Sequence, residues 1–282
     1  MNTKKTIVAF IYDYDHTLCT SDMQEYSFIP SLGISSKDFW NKANDLTHRE
    51  HMDSLLAYMY IMIEESKKKG LPITRDAFVK LGKDIELFPG VLEWFDRINQ
   101  YGKAHGVEVQ HYVISSGNKE IIEGSPIADK FKEVYACEYL YDENGEAVWP
   151  KSVINYTTKT QFIYRINKGV LDLAENNKVN AKMKDEDKPV PFQNMIYIAD
   201  GLTDVPCMKL VRGNGGTAVA VYDKKKKPAE RLYVDGRVDF ICEADYSENT
   251  SLDKIAKLLI DKIAPLDQLY KLHYSQMDKN KK

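Results

Sequence analysis

Apolar positions along the chain follow two rhythms. Thr6–Tyr12 (TIVAFIY) is an unbroken apolar run rich in β-branched and aromatic residues, the pattern of a strand buried on both faces. It ends abruptly in the polar segment 13–18 (DYDHTL). From about residue 21 to residue 88 the period is helical instead. Phe39, Trp40, Ala43 and Leu46 share one face, as do Leu55, Leu56, Met59 and Ile63, and Lys67, Lys68 and Lys69 before Gly70 form a stop. Thr74 is positioned to cap a third helix carrying Phe78, Leu81 and Ile85. No strand signal of comparable strength interrupts this stretch, which predicts a helical domain over residues 21–88.

Strand and helix alternate after that. Pro89 opens a helix bearing Val91, Trp94, Phe95 and Ile98; residues 107–114 read as a strand running into Ser115, Ser116 and Gly117. Residues 132–137 form a weaker strand, and two short β-like runs flank Asn144-Gly145, a hairpin signal. Residues 159–176 are predicted helical and 178–191, polar and charged, a surface loop. Met195–Ala199 is a further buried strand, followed by DGLTD; residues 217–221 and 238–242 are two more. Residues 224–227, four lysines before Pro228, read as an exposed turn. Residue 247 onward is helical, with a frayed end over 277–282. This order predicts an α/β protein: a doubly wound parallel sheet, a Rossmann-like core of residues 1–20 and 89–282, with the helical domain inserted after the first strand.

Composition narrows the field. Thirty-nine basic against 42 acidic residues give a net charge of −3, which argues against a protein built to grip nucleic acid or an anionic membrane. No stretch approaches the ~20 apolar residues of a membrane span. Two lysines precede the first apolar run, as in a secretory signal, but the run is short and leads straight into Asp13. Cys19, Cys137, Cys207 and Cys242 are scattered without CxxC or zinc-site spacing and read as buried free thiols. The expectation is a cytoplasmic globular protein.

The chemistry collects at strand ends, where doubly wound sheets bind ligands. Asp13 and Asp15 stand two residues apart, a repulsive placement that a divalent cation offsets; hard oxygen ligands suit Mg²⁺. Ser115 ends a second strand, and Asp200 and Asp204 follow a third. With these residues the chain resembles the haloacid dehalogenase-like hydrolases. Asp13-Tyr14-Asp15-His16-Thr17 is similar to that family's first motif, Ser115 in VISSG to its second, a lysine at a helix start to its third, and Asp200 to Asp204 to its acidic fourth. The resemblance runs from about residue 6 to 242.

The resemblance implies a fold with a small helical cap, as in phosphoserine-phosphatase-like members, and a Mg²⁺-dependent phosphatase. Asp13 is then the nucleophile, forming an aspartyl-phosphate, and Asp15 the general acid and base. Ser115 donates to a phosphoryl oxygen and a lysine neutralises its charge. Mg²⁺ is held by Asp13, the backbone carbonyl of Asp15, and Asp200, with Asp204 in support. The lysine is Lys159, at the start of its helix, with Lys168 further along the same helix as the alternative. Thr17, Ser116, Gly117, Gln24 and Tyr26 are the expected substrate contacts, with Phe28 a further candidate; the aromatic ones are equally suited to the core of the cap or its hinge. His16 stands where the family often has Gly, either contacting substrate or packing at the hinge. His48, Arg49 and His51 read as a solvated helix face. The substrate is a small phosphorylated metabolite, with sugar phosphates, phosphoamino acids and nucleotides all open. A catalytically silent relative that binds a metabolite or protein partner is the alternative function.

Overall fold

The computed structural model describes residues 5–280, and side chains through residue 277. In chain order, β1 (Thr6–Tyr12) leads into five helices: α1 (Met23–Tyr26), α2 (Phe28–Ser31), α3 (Ser36–Glu50), α4 (Ser54–Lys69) and α5 (Arg75–Leu81). Then come α6 (Val91–Ala104), β2 (Val107–Asn118), α7 (Lys119–Glu123), β3 (Glu133–Tyr141), β4 (Ala147–Ser152), α8 (Lys159–Lys168) and α9 (Asn176–Asn180). The chain finishes with β5 (Met195–Ala199), α10 (Val205–Gly213), β6 (Thr217–Tyr222), α11 (Lys227–Val234), β7 (Phe240–Glu243) and α12 (Ser251–Asn280).

The strands form one sheet in the order β4-β3-β2-β1-β5-β6-β7. Every pairing is parallel except that of β3 with β4. The central strand β1, whose residues 8–12 are wholly buried, is flanked by β2 and β5, so the chain reverses its direction of winding there. That switch point opens a crevice at the carboxyl ends of β1 and β5. Beneath it, buried Trp94 donates through its indole N–H to Tyr12 Oη (2.8 Å), which lies 3.0 Å from His111 Nδ1; His111 Nε2 lies 3.1 Å from Asn99 Oδ1.

The α1–α5 insertion is joined to the sheet by two connections lying side by side. Thr20 N donates to Glu86 O and Phe88 N to Leu18 O, both at 3.0 Å. The insertion is also seated on the sheet. Tyr139 Oη donates to Met59 O (2.9 Å), Tyr58 Oη to Ser116 O (2.8 Å) and Asn155 Nδ2 to Asp53 Oδ2 (2.8 Å). Gly82 and Gly124 let the end of α5 meet α7 backbone to backbone: a Cβ on Gly124 would stand 1.7 Å from Val79 O.

Several element bounds differ from expectation. The helix predicted over 159–176 stops at Lys168 because Gly169, at φ 67°, turns it off in the left-handed conformation. Residues 178–191 are not wholly loop, since α9 runs to Asn180 and a short 3₁₀ turn follows at Asp185–Asp187. β2 continues four residues past Ile114, through Ser115, and β3 runs on into the first arm of the Asn144-Gly145 hairpin. The segments α10 and α11 carry no strong sequence signal, and Lys227, expected in a turn, opens α11. The C-terminal helix starts at Ser251, four residues later than expected, and runs to Asn280; residues 281–282 of the expected frayed end lie outside the described residues, as do residues 1–4 of the lysine-bearing start. All four cysteines are free and buried, as expected. No helix among the described residues is long and apolar enough to cross a membrane.

Candidate active site

Register delivers the acids to one point. Tyr12 pairs with Val113 of β2 and Ile198 of β5, and Asp13 N donates to Ile198 O (3.0 Å), so Asp13 emerges where β5 ends and Asp200 begins. Asp204, four residues on, sits just before α10. Carboxylate oxygens of Asp13, Asp200 and Asp204 lie within 4.8 Å of one another. Lys159, the first residue of α8, is fully buried, and its Nζ stands 3.2 Å from Asp13 Oδ1 and 2.8 Å from Asp204 Oδ1. Asp204 is held further by Tyr197 Oη (2.5 Å) and Thr203 Oγ1 (2.8 Å). Asp13 Oδ1 also accepts from Tyr14 N (2.7 Å).

One ammonium faces three carboxylates, and the titration of the group reflects that imbalance. Burial, then the charge of Asp204, raises Asp13 well above the usual carboxylate range despite Lys159. Burial and Asp204 push Asp200 up to about 6. Burial alone would lower Lys159, but the charges of Asp13 and Asp204 outweigh it and hold the ammonium above its ordinary value. Three convergent hard oxygen donors with excess negative charge fit a divalent cation such as Mg²⁺. The carboxylate of Asp15 stands apart from this cluster. Its Oδ1 accepts from Met23 N (2.9 Å), and burial, then Asp22, pushes it up to about 8.

The second-strand residues sit as follows. Ser115 is buried and its Oγ accepts from Gly117 N (3.0 Å), whereas Ser116 Oγ donates to Ile154 O (2.8 Å). Gly117 has a packing reason to lack a side chain: a Cβ would meet Met23 Cε at 2.2 Å and Asp15 Oδ2 at 2.9 Å. Thr17 is buried with its hydroxyl unpartnered. Lys168 donates to Val179 O (2.5 Å) and Ala181 O (2.7 Å), so it braces the α9 segment while Lys159 faces Asp13. His16 adopts φ 55°, the left-handed region where glycine is unstrained and His is among the tolerated exceptions, and its Nε2 lies 3.6 Å from Asp22 Oδ1. The Asp22 carboxylate beside it raises His16 to about 9.

A cavity of about 280 Å³ lies between the helical insertion and the sheet, bounded by Asp15 and Ser116 on one side and by α3 and α4 on the other. Gln24 lines it, with its Nε2 donating to Asn118 Oδ1 (2.8 Å). Tyr26 does not line it. Its hydroxyl bonds Thr20 Oγ1 and Ser21 N, both at 2.8 Å, and Glu86 O at 3.2 Å, tying the two connections together. Phe28 packs between Phe39 and Phe78 inside the insertion. His48, Arg49 and His51 are exposed. Sequence reasoning missed Asp22, Trp40, Tyr58 and Tyr156 as cavity walls. Trp40 falls on the helical stripe that reads as core, and nothing in spacing marks it otherwise.

The family model for haloacid dehalogenase-like hydrolases matches residues 10–209, which carry every residue of the buried cluster. The chain belongs to that family. This haloacid dehalogenase-like hydrolase is 27% identical over 279 residues to a protein of Borreliella burgdorferi described as uncharacterized, with 89% of this chain and 96% of that one covered. In fold it is similar to a phosphoserine phosphatase in apo form (TM-score 0.57, 14% identity, 89% of this chain and 98% of that one). It is also similar to cytosolic 5′-nucleotidase IIIB bound to cytidine (TM-score 0.51, 14% identity, 93% and 87%). At such identities the likeness is one of fold, and what this hydrolase cleaves has to be argued from its own residues.

Proposed function

We propose that this hydrolase is a Mg²⁺-dependent phosphatase, cleaving a small phosphorylated metabolite through an aspartyl-phosphate on Asp13. Residues 21–88 act as a cap domain over a core of residues 1–20 and 89–282. The observation that carries the reading is the buried Lys159 ammonium between Asp13 and Asp204 with Asp200 alongside, an arrangement whose excess negative charge suits a phosphoryl group once a divalent cation is added. Mg²⁺ bound by Asp13, Asp200 and the backbone carbonyl of Asp15, with Asp204 in support, would supply charge neutralisation to the phosphoryl oxygens.

The residues themselves do the following. The Tyr14 N–H and Lys159 fix one oxygen of Asp13, orienting the carboxylate for attack at phosphorus. As the Asp13–phosphorus bond forms and the ester bond breaks, Asp15 passes its proton to the leaving alkoxide. A carboxyl pushed up to about 8 still holds that proton at neutral pH. Asp15, now ionised, takes a proton from water as that water attacks phosphorus and the Asp13–phosphorus bond breaks, releasing phosphate. Ser115 donates its hydroxyl to a phosphoryl oxygen, and Lys159 neutralises the charge there. Splitting the displacement in two lowers each barrier.

The test is phosphate release from a panel of small esters with Mg²⁺ and with EDTA, beside Asp13→Asn. Turnover that needs Mg²⁺ and is lost in the variant is the expected result. Absence of turnover across the panel, with thermal stabilisation by a panel member, would instead mark a silent binder.

A further inference from the structure

The cap cavity has an unusual lining for an enzyme of phosphate esters. Its charged lining is Asp15 and Asp22 alone; the rings of Trp40, Tyr58 and Tyr156 and neutral polar side chains such as Gln24 and Asn44 make up much of the rest, and no Lys, Arg or His is among the described residues that line it. Trp40 and Tyr58 meet at 63° with ring centroids 5.9 Å apart, forming two adjoining walls. Both are held in place: Trp40 Nε1 donates to Glu25 Oε1 (3.0 Å) and Tyr58 Oη to Ser116 O. Asp22 is partly countered by His16, but that contact is long, at 3.6 Å, and His16 itself is not part of the wall.

We propose that this cavity selects phosphate monoesters whose leaving alcohol carries a positive charge, an amino or alkylammonium group. The proposal rests on the phosphatase reading above and names its substrate class. An organic cation is attracted to Trp and Tyr rings and to the Asp22 carboxylate. A carboxylate on the leaving group would find no basic partner on these walls and would meet Asp22 instead. The substrate class therefore departs from that of the phosphoserine phosphatase whose fold is similar, because phosphoserine carries such a carboxylate beside its amine. A nucleoside could stack on the same rings, but its neutral sugar brings no positive charge to Asp22.

The experiment compares kcat/KM, with Mg²⁺, for phosphoethanolamine and phosphocholine as cationic probes, and for O-phosphoserine, glycerol phosphate, cytidine 5′-monophosphate and p-nitrophenyl phosphate. The cationic esters are expected to exceed glycerol phosphate by about tenfold, a step of the size cation–π and carboxylate contacts give, with O-phosphoserine below phosphoethanolamine. Asp22→Asn and Tyr156→Ala, both at solvent-accessible positions that do not threaten folding, should shrink the cationic-to-neutral ratio several-fold, chiefly through KM. Hydrolysis of p-nitrophenyl phosphate without cationic preference, or a preference for O-phosphoserine or the nucleotide, overturns the proposal while leaving the phosphatase reading intact. A preference that Asp22→Asn and Tyr156→Ala leave unchanged overturns it too. Failure to hydrolyse any ester removes both.

Discussion

Lys159 concentrates the electrostatics of the site in a single side chain. Replacing it by Met leaves Asp13 and Asp204 buried without their cation, a situation that costs about 3 kcal/mol or more when a buried pair is broken. In EDTA, Lys159→Met should therefore unfold at markedly lower urea than the parent, and turnover should disappear; an unchanged midpoint would mean the ion pairs carry no weight. A second residue-scale prediction concerns His111. The Trp94 indole can only donate, so Tyr12 Oη passes its own proton toward His111 Nδ1, and the imidazole proton lies on Nε2 toward Asn99. Burial pushes His111 down to about 3, so the folded protein keeps it neutral. Below about pH 6.5 the unfolded chain takes up a proton that the folded chain refuses, and stability falls with decreasing pH toward about 3, by up to about 1.4 kcal/mol per pH unit. His111→Gln should flatten that slope between about pH 7 and pH 5; an identical slope in urea titrations would assign it elsewhere.

Among the elements, the junction of α5 with α7 is where the insertion meets the sheet side most closely. Gly124→Ala drives a methyl into Val79 O, and neither backbone can yield without moving a helix end. We expect a loss of about 1–3 kcal/mol in stability, read from the urea midpoint, with impaired turnover because α5 carries the insertion's return to the hinge. Parent-like stability would show that the junction opens at no cost. Legibility in the sequence follows the same division. The buried strands β1 and β5 and the acids at their ends could be read directly, because a parallel strand buried on both faces is a continuous apolar run and its polar terminus is abrupt. Short amphipathic α10 and α11 offered too few turns for a period to register, and the stop at Gly169 was overrun because apolar Val170 and Leu173 continue the helical spacing beyond it. The motif residues of the site were legible for their chemistry, whereas Trp40 and Tyr58 were not: a core aromatic and a cavity wall have the same spacing, and only packing between α3, α4 and β2 distinguishes them. Tyr26, a candidate for substrate, became a hinge tie for the same reason, since Thr20, Ser21 and Glu86 meet only in three dimensions.

At the scale of the molecule, the reversal of winding at β1 brings acids from β1 and β5 together, and their repulsion is borne by the whole fold. Asp200 lies near 6 in the folded chain against about 3.9 when unfolded, so between those values the folded state holds more protons and its stability falls as pH rises. Above that window Asp200 is ionised beside Asp204, and Asp13 is displaced in the same direction, so the acids of the apo protein still outweigh the single ammonium of Lys159. A divalent cation that binds only the folded state adds about 2.7 kcal/mol at a hundredfold excess over its Kd, and it competes with protons for the same oxygens. The gain in Tm on adding Mg²⁺ should thus be small near pH 5 and grow toward pH 8, vanishing with EDTA. Asp200→Asn should raise the apo Tm at pH 8, because it removes one of the repelling charges, and should at the same time abolish most of the Mg²⁺ gain. A metal-independent Tm at pH 8 would mean that the acids are balanced by Lys159 alone, and the Mg²⁺ assignment would fall with it.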